Sequence, residues 1–225
     1  MCADKTLALL AWLSPAYPVG AYAYSHGLEW AAEAGDIKDL QTLVDWISDI
    51  LTVGSGRNDA ILFVQTWRDA RSGGGGLVSL AELAIALAPS RERRLEALQQ
   101  GAAFLNATRA AWPHAQIDRF AEATNGQSAY CIAFAVAAAA HDVPLRPALD
   151  SFLSAFASNL VSAAVRLNVI GQTDGQRAVA VLTAVAQQVA ETVEHSSLDD
   201  LGGSAFRADI AAMRHETQHA RLFRS

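Results

Sequence analysis

Lysine is almost absent: Lys5 and Lys38 are the only two in the chain. A phosphate-binding loop of the Gly-x-x-x-x-Gly-Lys-Ser/Thr kind therefore has almost nothing to draw on. The one glycine-rich run, Gly73–Gly76, is followed by Leu77-Val78 instead, and it reads as a flexible linker. Cysteine is just as scarce. Cys2 and Cys131 cannot build a disulfide framework and lack metal-site spacing, and Cys131, set in an apolar run, reads as a small buried hydrophobe. Charge is thin too, at 18% of residues against 52% apolar. So little polar material leaves surface for a partner or a second copy to cover. The net charge of −6 excludes a general nucleic-acid binder, which needs a concentrated basic footprint. Sustained period-two alternation is missing, and no Asn-Gly or Asp-Gly joins two β-branched runs, which argues against sheet. The short apolar stretch near the start carries no signal-peptide cleavage pattern. Residues 123–140 are uncharged but begin with polar residues and continue mostly as alanine. They suit a core helix better than a membrane span, and the expectation is a cytoplasmic protein without membrane contact.

What is present is helical periodicity. Leu40, Leu43, Val44, Ile47, Ile50 and Leu51 mark one apolar face after Asp36. Ser90 is placed to cap a second helix, with Leu95, Leu98, Ala102 and Leu105 as its stripe. A third begins near Thr173 or Asp174, with Ala178, Val181, Leu182, Val185 and Val189 in register. Breakers at Ser14-Pro15, Gly54–Gly56, Gly73–Gly76, Pro113, Pro144 and Gly202-Gly203 divide the chain into about eight to ten helices. The fold class predicted is all-α, a single compact helical domain over 1–203 with a basic C-terminal docking tail over 204–225. Residues 207–225 carry four arginines against Asp209 and Glu216, leaving −8 on residues 1–206. A basic tail on an acidic body points to internal docking or to an acidic patch on another protein.

His215-Glu216-Thr217-Gln218-His219 is a literal H-E-x-x-H, the pattern that places two imidazoles on one helix face for zinc beside a glutamate base. A zincin needs a third ligand downstream. The six residues that follow include no His, Asp, Glu or Cys, so neither a protease nor a metal site is assigned, and no catalytic group emerges elsewhere.

Three stretches are less generic. Ser14–Glu29 combines two prolines, two glycines and three tyrosines, a rigid helix–helix connection whose tyrosines suit an interface. Ser162–Gln176 places a lone Arg166 in an apolar helix just before Gly171, where it is either internally paired or held out for a partner. The tail, Met213–Ser225, continues a helix on which Arg207, Arg214 and Arg221 recur every seven residues and share a face. Leu222 and Phe223 beside them call for a docking surface. The tyrosine-rich turn suits guanidinium groups, with Tyr22 the expected partner of Arg221.

Together, in this order along the chain, the three stretches resemble the UreF family of urease accessory proteins. The turn is similar to the family's Ser-Pro-x-Phe/Tyr-Pro-x-Gly signature ending in Ser-x-Gly-Leu-Glu. The middle stretch is similar to a basic-Leu-x-Pro-x-Gly-Gln segment, except that Val169 stands where the family has proline, leaving the break to Gly171. The tail resembles a Met-Arg-His-Glu-Thr-Gln-x-x-Arg-Leu-Phe-Arg-Ser ending, with His219 where the family has an aromatic. The resemblance implies an all-α homodimer that does no chemistry and holds no cofactor. It implies a complex with the accessory protein UreD (UreH), recruitment and regulation of the GTPase UreG, and delivery of nickel to apo-urease, with nickel and GTP handled by the partners. By the same resemblance, Tyr22, His26, Glu29, Arg166, Gln172, Arg214, Arg221 and Phe223 are the candidate partner-binding residues. Composition alone leaves two other classes open, a helical scaffold unrelated to nickel and a helical hydrolase with an unrecognised site.

Overall fold

The computed structural model describes residues 2–225, with side chains from Lys5 onward; the side chain of Cys2 lies outside the described residues. All regular structure among them is helical. The α-helices are α1 (Cys2–Trp12), α2 (Leu28–Glu33), α3 (Leu40–Val53), α4 (Ser55–Arg71), α5 (Leu77–Ala86), α6 (Arg91–Ala111), α7 (Ala115–Ala123), α8 (Tyr130–Ala140), α9 (Leu145–Arg166), α10 (Gln172–Val193) and α11 (Phe206–His215). Short 3-10 turns at Ala21–Ala23 and Leu198–Asp200 interrupt the connections.

Helix α8 is the axis of the core. Every residue from Cys131 to Ala140 is buried, and its alanines let α4 and α6 pack close on either side. Close approach is carried furthest at Gly101 of α6, where a β-carbon would lie 1.9 Å from the Ser128 carbonyl oxygen. Around this axis the aromatic rings interlock. Trp12 meets Phe104 and Phe134 edge-on at 6.1 and 5.8 Å, and Phe63 meets Phe152 at 5.3 Å. Helix α9 is the one described helix long and apolar enough to cross a membrane, and its Leu149, Phe152, Leu153, Leu160 and Val161 are buried in this core.

The expected cap at Ser90 is in place, and α3 has a further one at Asp39 that the apolar spacing did not mark. Asp39 caps α3 in a capping box, its Oδ1 accepting from the Thr42 amide at 2.9 Å while Thr42 Oγ1 accepts from the Asp39 amide at 3.1 Å. Ser90 Oγ accepts from the Arg93 amide at 3.2 Å and opens α6, a cap worth about 1 kcal/mol. Other expectations change. The Gly73–Gly76 run forms a tight turn in which the Gly74 amide donates to the Asp69 carbonyl and the Gly76 amide to the Asp69 side chain. The break after α9 does not rest on Gly171. Asn168 takes the left-handed conformation (φ 59°), with the Val169 amide on the Ala164 carbonyl and the Asn168 amide on the Val165 carbonyl. That is a Schellman ending; Gly171, at φ −82°, instead caps α10.

Helix α6 departs most from its expected stripe. Leu95 is exposed and Leu98 only partly buried, whereas Arg93, Glu96 and Gln100 are buried. The face that a periodicity rule assigns to solvent is covered because the chain returns over it after α10. Val181 of α10 is likewise exposed, while Ala178, Leu182, Ala186 and Val189 face the core.

Candidate functional site

Residues 14–29 form a stiff turn held by positive φ at Gly20, His26 and Gly27 (73°, 61° and 78°). Two of its tyrosines are used internally. Tyr17 Oη shares a 2.8 Å hydrogen bond with Thr108 Oγ1, and buried Tyr24 donates to Gln99. Burial raises the hydroxyl pKa of both. Only Tyr22 of the three, 71% exposed, is left for a partner. At Gly27 a β-carbon would stand 2.6 Å from the Ala212 amide nitrogen. The turn and α11 are thus pressed backbone to backbone, and only glycine tolerates both this contact and its φ.

The tail lies along that turn. The expected helix through 221 stops at His215, and the chain then folds back in short turns. Glu29 is the clamp. Its Oε1 accepts from the Leu222 amide at 2.6 Å, its Oε2 accepts from the Phe223 amide at 2.9 Å, and His215 Nε2 faces Oε2 at 3.1 Å. The other ring nitrogen of the fully buried His215 faces Glu92 Oε2 at 2.6 Å. Backbone bonds finish the seam, from the Arg224 amide to the Ala23 carbonyl at 2.8 Å and from the Ser25 amide to the Ser225 carbonyl at 2.7 Å. Phe223 is 4% exposed; Leu222 stays outside.

The arginines pair differently from expectation. Arg221 does not meet Tyr22; its Nη1 donates to Glu92 Oε1 at 2.7 Å. Because the helix ends before it, Arg221 leaves the face of Arg207 and Arg214 and falls over Glu92, the one acidic residue in the first turn of α6. Arg166 takes the place beside the turn. As the last residue of α9 it donates to the Tyr22 carbonyl, and its guanidinium lies 4.4 Å from the Phe223 ring centroid. It is exposed, and its partners are a carbonyl and a ring rather than a buried carboxylate. The structure therefore brings Tyr22, Arg166 and Phe223 into one cluster with Glu29 beneath it. Gln172 is exposed at the first residue of α10, and Arg214 is exposed at the end of α11. The H-E-x-x-H residues part company: Glu216 accepts from the Arg91 amide at 2.8 Å and His219 is exposed.

Below the seam lies an ionic cluster with no counterpart among the sequence expectations, in which Arg93, Glu96 and His26 are buried and Asp59 is half-buried. Glu96 pairs with Arg93, accepts from Ser225 Oγ at 2.6 Å and lies 3.8 Å from His26 Nδ1. His26 Nε2 meets Ser55 Oγ at 2.7 Å, and Asp59 receives the Cys131 thiol at 3.6 Å. The available signal was Arg93, Glu96 and Gln100 in line with Gly101 on a helix whose leucines fall on the other side. Burial alone would raise Glu96, yet Arg93 and His26 hold it well below the usual carboxylate range. Burial, then the Arg93 guanidinium, pushes His26 down to about 4 against the pull of Glu96. Burial pushes Asp59 up to about 6, with Arg93 opposing.

These last two shifts act oppositely on stability. As pH falls from 6.5 to about 4, the unfolded chain protonates His26 while the folded chain refuses, so stability drops. As pH falls from about 6 to 3.8, the folded chain protonates Asp59 first, so stability rises. Asp59→Asn keeps the acceptor for Cys131 and removes only the second effect. Its melting temperature minus that of the parent is expected to be positive at pH 7 and to shrink steadily toward pH 4. Parallel melting curves across that range would refute the assignment.

The UreF family model matches residues 37–183. A urease accessory protein UreF of Xanthobacter autotrophicus is 53% identical over 220 residues, covering 97% of this chain and 90% of its own. Those of Rhodopseudomonas palustris and Methylobacterium radiotolerans are each 50% identical, covering 96% and 98% of this chain and 92% and 97% of theirs. The chain belongs to the UreF family of urease accessory proteins. The UreF model match stops short of both the turn and the tail, whereas the alignments to individual UreF proteins cover nearly the full length.

Proposed function

We propose that the chain is a non-catalytic adaptor of urease maturation. With UreD it recruits the GTPase UreG, regulates it, and brings nickel to apo-urease. It works in the cytoplasm as a homodimer. The observation that carries this reading is the Arg166 guanidinium, which binds the Tyr22 carbonyl on one side and the Phe223 ring on the other. Three stretches far apart in sequence are joined through a single exposed cation, with Tyr22 exposed beside it and the Phe223 ring buried beneath it.

Arg166→Ala tests it. An exposed cation–ring contact is worth about 0.5–1 kcal/mol, too little to hold the fold. The variant is expected to keep its circular dichroism and its binding to UreD, while retaining at least tenfold less UreG on co-purification. Loss of fold, or full retention of UreG, would overturn the reading.

The adaptor reading also implies that nickel and GTP are bound by partners. His215 already directs both ring nitrogens at carboxylates, and His219 stands apart from it in the solvent. Calorimetry of the purified chain with nickel is expected to show no stoichiometric sub-micromolar site, and GTP is expected to survive incubation with it. A tight nickel site lost in His215→Ala/His219→Ala would contradict this.

A further inference from the structure

Helix α11 turns only one side to the body. Ala211, Ala212 and His215 are buried against α2 and α6, while Phe206, Ile210 and Met213 are 67%, 51% and 49% exposed. Spaced by four and then three residues, they form one apolar seam facing solvent, about 10 Å long at 1.5 Å per residue. At the Phe206 end the seam opens into a cleft of about 290 Å³ between α11 and α3, lined by Asp36, Asp45, Trp46, Asp49 and Arg207 among others. Asp45 and Asp49, four apart, point from the same exposed face of α3. Among the described residues Arg207 is the one cation lining that cleft. It is committed to Asp36 and lies over the Trp46 ring at 5.6 Å. The cleft therefore already seats one guanidinium on an indole and keeps two exposed carboxylates unneutralised. Trp46 itself is buried with its Nε1 unpartnered.

We infer that this seam and cleft form a docking surface for a basic amphipathic helix of a partner protein, separate from the Arg166 surface. The helix lays its apolar face on Phe206, Ile210 and Met213 and directs a lysine or arginine between Asp45 and Asp49. Charge complementarity selects this occupant, because the cleft carries three carboxylates to one guanidinium on an already acidic body. A second copy fits less well, since three partly exposed side chains fall well short of the ~800 Å² per partner of a stable dimer.

The probe is a fluorescein-labelled 18-residue Leu/Lys amphipathic helical peptide, titrated with the full chain by anisotropy beside a Leu/Glu peptide of the same pattern. The Leu/Lys peptide is expected to bind at least tenfold more tightly. Asp45→Asn/Asp49→Asn is expected to weaken it tenfold or more and to flatten its salt dependence; Phe206→Ser/Ile210→Ser is expected to weaken it equally, with unchanged circular dichroism. Equal binding by both double variants and the parent would place the peptide elsewhere on the acidic body and overturn the inference. So would a fall from dimer to monomer in sedimentation of Phe206→Ser/Ile210→Ser, which would make a second copy the occupant.

Discussion

Replacing Glu29 by alanine is expected to free residues 216–225 from the body while helices α1–α10 stay folded. One buried carboxylate receives two tail amides and faces the ring of His215. Removing it leaves the Leu222 and Phe223 amides without their acceptor and a buried imidazole half-partnered. Each amide donor stripped of its acceptor in this way costs about 1–3 kcal/mol. Since ~1.4 kcal/mol is a factor of ten, the open tail becomes roughly a hundredfold or more populated. The loss is local because the tail is held chiefly by polar bonds, while the core around α8 uses none of them. Hydrogen exchange should therefore accelerate at Leu222, Phe223 and Arg224 by about two orders of magnitude, with the amides of α8 unaffected. Glu29→Gln, which keeps one carbonyl oxygen, should fall between. Under the adaptor reading, Glu29→Ala and deletion of 213–225 should both abolish the ternary complex with UreD and UreG. Unchanged exchange in the tail would show that Glu29 is not the clamp. A tail-less chain that still assembles at normal affinity would remove the tail from the partner surface.

Gly101→Ala is expected to be the most damaging single-methyl change in the molecule. Its β-carbon would lie 1.9 Å from the Ser128 carbonyl oxygen and 2.9 Å from the Ala129 backbone, so no side-chain rotation relieves the clash. Either α6 moves off α8, opening the stacked pair Phe104 and Phe134 (5.2 Å), or the 128–129 backbone shifts with its buried polar groups. Overpacking of this kind costs ~1–3 kcal/mol and occasionally more, with the upper end expected here. At this chain length ~3 kcal/mol lowers the melting temperature by roughly 6–12 °C. Gly75→Ala, where a β-carbon meets nothing within 4 Å, serves as the control and should melt within a degree or two of the parent. Equal melting of Gly101→Ala and the parent would mean that the close approach of α6 is not what holds that helix.

Periodicity and capping chemistry are local, and they read correctly wherever one side of a helix meets water and the other meets the core. The face of α3 and the cap at Ser90 were legible for that reason, as was the burial of the uncharged alanine-rich α8. The turn, the Arg166 segment and the tail could be singled out because their residue types suit no simple core or surface role. That the turn and tail meet was also legible, from opposite charge and from the two apolar residues beside the arginines. How they meet was not. The helix that would have aligned Arg207, Arg214 and Arg221 ends at His215 because that ring is taken by Glu29 and Glu92 from two other helices, and no spacing along the tail records them. The polar face of α6 is buried by a return of the chain more than a hundred residues later, so Arg93, Glu96 and Gln100 read as solvated when each is part of the interior. Local pattern was enough for the helical class, the core face of α3 and the cap at Ser90, and it singled out the three stretches on which the adaptor proposal rests. Which distant charges pair is set in three dimensions, because Coulomb and hydrogen-bond partners depend on distance in space, and a chain position says nothing of that once the separation exceeds a helical turn or two.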